Sequence, residues 1–117
     1  MRRVCKLDAR LPAHIVISGF IISAEAVGGS GMVISKGERD AGTIMIVIVR
    51  RGENATLYER MPQLDGVRRF VMTKQQTPEN YIEFNEYLLR RGNQDPDGWI
   101  LELDVPDPDK FVKDIVN

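Results

Sequence analysis

The chain has 117 residues, 43% of them hydrophobic and 28% charged, which is one domain's worth of core and too apolar for a disordered chain. It contains no apolar run of the roughly 18 residues that a membrane-spanning helix needs. Sixteen basic residues against seventeen acidic ones give a net charge of -1, without the basic excess by which dedicated nucleic-acid binders neutralise phosphate.

Residues 1–11 show no hydrophobic period and read as an extended lead-in to a single domain spanning 1–117. Pro12 suits the first helical position, where its missing N–H loses nothing. Ile17, Phe20, Ile21, Ala24 and Val27 then recur at helical steps, and Gly28-Gly29 stops the helix. The β-branched run Ile15-Val16-Ile17 competes for strand. Residues 32–35 read as a short strand and 36–42 as a turn-rich loop. The clearest strand is 43–49, where Ile44 to Val49 run without a polar interruption. Residues 55–60 and 67–72 are further strands, joined through Asp65-Gly66, a strong hairpin signal.

Thr77-Pro78-Glu79 opens a second helix, with a cap, a first-turn proline and an acid at the positive end of the dipole. Tyr81, Phe84 and Leu88 form its apolar face, and Arg90, Arg91 and Gly92 close it. After the turn Asp95-Pro96-Asp97-Gly98, residues 99–105 alternate, with Trp99, Leu101, Leu103 and Val105 on one side. Asp107-Pro108 starts a short tail helix with Phe111 and Ile115 on one side. The order α-β-β-β-β-α-β predicts an α+β fold, an antiparallel four- to five-stranded sheet with two main helices and its first four strands in a meander.

An unbroken apolar strand needs cover on both faces. For residues 43–49, either the two helices lie on opposite faces or a second molecule covers one of them. The sequence reading favours the second arrangement, a homodimer through a sheet face.

The segments Leu11-Pro12-Ala13-His14, Gly37-Glu38-Arg39-Asp40-Ala41-Gly42 and Asp95-Pro96-Asp97-Gly98-Trp99 together resemble the bacterial domain-of-unknown-function family fourteen ninety-one. Members carry a Gly-Asp-Pro-Asp-Ala-Gly-like loop before an apolar strand and an Asp-Pro-Asp-x-Trp turn before the last one. Here Glu38-Arg39 stands where Asp-Pro is common, and Gly98 fills the variable position. The resemblance covers most of the chain and implies the fold order, but no activity, cofactor or catalytic residue.

The residues themselves offer little chemistry. Cys5 and His14 are the only thiol and imidazole, so a zinc site would have to borrow carboxylates. Asp95/Asp97 and Asp107/Asp109 read as turn and cap residues beside prolines. A Cys5–His14 pair lacks an orienting third group, and no Gly-x-Ser-x-Gly elbow is present. Gly28-Gly29-Ser30-Gly31 follows a helix, whereas a phosphate loop precedes one. The pairs Arg2-Arg3, Arg50-Arg51, Arg68-Arg69 and Arg90-Arg91 suggest nucleic acid at first sight, but neighbouring residues of a strand diverge to opposite faces.

The candidate binding residues are therefore Lys36, Arg39, Asp40 and Gly42 of the charged loop, with Asp97 and Trp99 from the turn before the last strand. The expected protein is a small cytosolic binding or interaction protein acting as a homodimer, with an unidentified protein or small-molecule partner and no metal, cofactor or membrane. Two alternatives stand beside it, a nucleic-acid binder using the arginine pairs and an enzyme with a carboxylate-only site such as Asp40 with Asp97.

Overall fold

The computed structural model describes residues 11–62 and 68–116. The elements run α1 (Ala13–Ala26), β1 (Ser30–Ser35), β2 (Ile44–Arg50), β3 (Glu53–Pro62), β4 (Arg68–Gln75), α2 (Tyr81–Gln94), β5 (Trp99–Asp104) and α3 (Pro108–Phe111), which a π-helical turn, Val112–Val116, continues. The expected order of helices and strands is the observed one. The hairpin expected at Asp65-Gly66, the lead-in 1–10 and Cys5 lie outside the described residues.

The sheet is mixed, which corrects the expected antiparallel arrangement. Its strand order is β1-β5-β2-β3-β4. β2, β3 and β4 form the antiparallel meander, but β5 enters between β1 and β2, parallel to β2 and antiparallel to β1. The reason lies in burial. Leu101 and Leu103 are fully buried on one face of β5, and Ile100 is 3% exposed on the other. Such a strand belongs inside a sheet, while β1, with Ser30 and Ser35 at its ends, goes to the edge. Pairing of neighbours through short loops is only a tendency, and β5 overrides it.

β2 divides its side chains between two cores. Ile44, Ile46 and Ile48 pack with α1 through Val16, Ile17, Phe20 and Ala24, joined by Leu101, Leu103 and Phe111. Met45, Val47 and Val49 pack with Ile100, Leu57 and Phe84 of α2. The helices thus cover opposite faces, and β2 itself places no demand on a second molecule.

Helix wins over strand at Ile15-Val16-Ile17 because α1 buries Val16 and Ile17, and because its first donors are met. The Ala13 and His14 N–H groups donate to the Asp40 and Arg39 carbonyls, each at 2.9 Å. Pro12 precedes the first helical residue, one position before the expected one. The helix ends in a Schellman motif, in which Gly28 at φ 87° donates to the Glu25 carbonyl and Gly29 to that of Ala24. α2 begins later than expected. Thr77 and Asn80 exchange side-chain and backbone hydrogen bonds at 2.7 and 3.2 Å in a preceding turn, and the helix runs past Gly92 to Gln94.

One polar network fastens α2 to the sheet. Glu59 of β3, with its side chain 12% exposed, accepts from Thr73 Oγ1 at 2.7 Å, Arg91 Nη1 at 2.7 Å and Tyr87 Oη at 3.2 Å. Burial pushes the Glu59 carboxyl upward, but the hydrogen bonds and the Arg91 charge overcome it and hold the group below its ordinary value.

Two measurements check this architecture. Phe20→Ala, which empties a fully buried position edge-on to Phe70, should lower the unfolding free energy by about 3–5 kcal/mol in urea titrations, whereas the exposed Leu89→Ala should change it by about 0.5 kcal/mol or less. Because the folded state depresses the Glu59 pKa, its stabilisation is complete above the ordinary glutamate range and is lost as pH falls through the folded value. The thermal midpoint of Glu59→Gln should therefore fall less steeply on acidification than that of the parent.

Candidate functional site

β2 and β5 run parallel, so their first residues lie at one end of the sheet, where three separate segments meet. Trp99 N–H donates to the Thr43 carbonyl at 2.7 Å, and Glu38 N–H to the Asp97 carbonyl at 2.8 Å. The buried Trp99 ring extends the contact, with Nε1 donating to the Glu38 carbonyl at 2.7 Å. The loop 36–42 therefore folds over the turn 95–98 and then offers the Arg39 and Asp40 carbonyls to the start of α1.

Glycines make this closeness possible. A Cβ on Gly42 would overlap the Asp97 carbonyl oxygen and lie 3.0 Å from Trp99 Cδ1, and one on Gly37 would meet the backbone of Asp97 and Gly98. A Cβ on Gly98 would lie 2.9 Å from both Asp95 Oδ2 and Thr43 Oγ1.

Two carboxylates here, Glu38 and Asp95, hold the loop and the turn in place. Glu38 Oε1 accepts from the Asp40 and Ala41 N–H groups at 2.9 and 2.6 Å, and these bonds, Ala41's first, lower its pKa. Asp95 Oδ2 accepts from Thr43 Oγ1 at 2.9 Å. His14 Nδ1 lies 3.1 Å from the Arg39 carbonyl, and its Nε2 lies 3.3 Å from Arg39 Nη2. Both contacts are satisfied by the neutral tautomer protonated at Nδ1, whose Nε2 accepts from the guanidinium. The Asp40 carboxylate stands 3.9 Å from Nδ1.

The structure thus brings Arg39, Asp40, Gly42, Asp97 and Trp99 into one junction. Trp99 and Gly42 are structural parts of it, while the Arg39, Asp40 and Asp97 side chains remain at the surface. Lys36 enters the loop as an exposed residue ahead of the junction. His14, Glu38, Thr43 and Asp95 complete the arrangement and were not among the candidates. Their signal was present in the three short motifs, but as turn chemistry rather than as ligands.

Of the arginine pairs, Arg50-Arg51 lies at the β2–β3 hairpin. Arg91 is committed to Glu59 and Tyr87, and Arg90 lies 5.7 Å from the Tyr87 ring centroid. Among the described residues no group of three or more His, Cys, Asp or Glu side chains could hold a metal ion, and no helix is long and apolar enough to cross a membrane.

The junction predicts a steep cost for any side chain at its centre. Gly42→Ala should lower stability by about 1–3 kcal/mol, as overpacked sites do, with a shifted Trp99 fluorescence maximum reporting the displaced ring.

The likenesses of the chain to known proteins follow this architecture. A crystal structure of a DUF1491 family protein from Caulobacter crescentus CB15 superposes with a TM-score of 0.74 at 29% identity, covering 84% of this chain and 91% of that one. An NMR structure of a DUF1491 family protein from the same organism gives 0.69 at 28% identity, over 85% and 89%. The solution structure of protein Atu0922 from A. tumefaciens gives 0.67 at 27% identity, over 84% and 88%. No curated protein matches the chain. The family model described as a protein of unknown function (DUF1491) matches residues 11–113, a span that includes all three junction segments, and the chain belongs to that family.

Proposed function

We propose that this is a small cytosolic binding protein without a catalytic centre of its own, working as a symmetric dimer joined along the edge of β1. The carrying observation is the contrast between the two edges of the sheet. β4, at one edge, presents the exposed cations Arg69 and Lys74, a common guard against unwanted strand pairing. β1, at the other, reads Ser-Gly-Met-Val-Ile-Ser, with neither charge nor proline. Met32, Val33 and Ile34 there are 57%, 38% and 43% exposed. A register irregularity falls between Val33 and Ser35, so residues 30–33 remain regular and available.

A second copy fits this edge by symmetry. Antiparallel pairing about a two-fold axis normal to the sheet keeps like faces together, so a residue such as Met32 sits opposite itself. α1 overlies this side of the sheet, with Ile21 close above Gly31. Because α1 lies over this edge strand, pairing of the two β1 strands brings the α1 helices of the two copies alongside each other. The flank of α1 on that side carries His14, Ser18, Ile21 and Glu25 at helical spacing. Turned antiparallel, the Arg39 guanidinium on His14 faces the Glu25 carboxylate of the other copy.

Light scattering on the eluting full chain tests this reading. The expected result at tens of micromolar is twice the 13.3 kDa chain mass, with Met32→Lys and Val33→Lys monomeric and native by circular dichroism. Glu25→Lys should weaken the dimer, and Arg39→Glu in the same chain should restore it. A parent protein that remains monomeric overturns the reading.

A further inference from the structure

At the opposite end of the sheet, β2 and β5 finish side by side, with Val49 in register with Asp104 and the Val105 N–H donating to the Val49 carbonyl at 3.1 Å. α1 ends and β1 begins over the same point. An open groove of about 320 Å³ lies there, lined by Gly28, Gly29 and Ser30, by Arg51, and by Asp104, Val105 and Pro106. In sheets with parallel strands, the space beyond the carboxyl ends is where ligands commonly lodge.

Arg51 is the unusual element. Its φ of 55° lies in the left-handed region, at a hairpin position that asparagine or glycine ordinarily fills. Its N–H donates to Asp104 Oδ1 at 2.8 Å, fastening the turn to β5. Among the described residues its guanidinium has neither a hydrogen-bond nor an ion-pair partner. What arginine adds here over a less strained glycine is a cation at the mouth of the groove.

The opposite charge lies beside it. Asp104 brings a carboxylate whose Oδ2 has no partner among the described residues. The Gly28 and Gly29 N–H groups are spent on the Glu25 and Ala24 carbonyls at 3.1 and 2.8 Å, so they cannot cradle a phosphate. The volume is near the lower limit of about 300 Å³ for small-molecule sites.

We propose that this groove binds a small zwitterion of the α-amino-acid class. The ligand carboxylate meets Arg51, its ammonium group meets Asp104, and the Ser30 hydroxyl supplies a further hydrogen bond. The site lies within one chain and stands whether or not the chain dimerises.

Titration of the ¹⁵N-labelled full chain tests it, with glycine, L-alanine and L-glutamate as probes and acetate, methylamine and inorganic phosphate for comparison. The expected result is saturable amide shifts at residues 28–30, 51 and 104–105 with the amino acids. Acetate and methylamine, each meeting one charged group only, should bind at least about tenfold more weakly. Arg51→Gly suits the left-handed turn, so it should raise the thermal midpoint while weakening glycine binding about tenfold or more. Asp104→Asn keeps an acceptor for the Arg51 N–H and should weaken glycine but not acetate. Scattered or absent shifts with every amino acid, glycine binding undiminished in Arg51→Gly, or phosphate binding more tightly than glycine would each overturn the assignment.

Discussion

β2 and β5 lie next to each other and present apolar side chains to both faces of the sheet, a placement that is stable only with a cover above and below. The other elements are arranged to supply it. α1 and α3 close one face, α2 closes the other, and β1 and β3 flank the pair so that its hydrogen bonds are met on both sides. Glu59 shows how polar groups are admitted to this layer. A carboxylate between sheet and helix is tolerated because Thr73, Tyr87 and Arg91 converge on it, and the same bonds fix where α2 docks.

The constraint also explains the junction at the start of the two strands. Parallel neighbours cannot be joined by a hairpin, so the chain enters β2 and β5 through separate connections, loop 36–42 and turn 95–98, which must share one small space. Their backbone groups are met by each other, by the Glu38 carboxylate and by the first turn of α1, and a Thr43–Asp95 side-chain bond ties the start of β2 to the turn. Charged residues gathered in a loop suggested a ligand site, but the Glu38 carboxylate serves the loop's own N–H groups and the Arg39 guanidinium turns to His14. The groove at the other end has the opposite character. There the helix terminus is already satisfied by its glycines, and Arg51 and Asp104 retain unspent capacity.

Local order was legible in the sequence wherever periodicity or turn chemistry spoke alone. The stripe through Ile17, Phe20 and Ala24, the glycine stop after α1, the run from Ile44 to Val49 and the alternation from Trp99 to Val105 all mark real elements. What could not be read was which strand lies beside which. Alternation placed Ile100 with Glu102 and Asp104 on a wet face, whereas it is buried beneath α2, a fact that depends on where that helix crosses. The contacts of Glu59 with Tyr87 and Arg91 lie outside any local pattern, because they join positions far apart in the chain. The junction motifs were visible, but their meaning was not, since Asp-Pro and Gly-rich turns look alike whether they hold a ligand or a neighbouring loop.

The insertion of β5 bears on how the molecule reaches its native state. Ser30 lies opposite Asp104 and Met45 beside Ile100, partners far apart along the chain, so β1 cannot join the meander until a strand encoded near the end arrives. The β2–β3–β4 meander can assemble early from local contacts, but its β2 border stays open while translation proceeds. Closing that gap carries a large loop-closure entropy, the feature that slows folding in topologies of high contact order. On the ribosome, the half-built sheet therefore waits with its greasiest border unpaired, and that interval is when a chaperone or a stray strand has access to it.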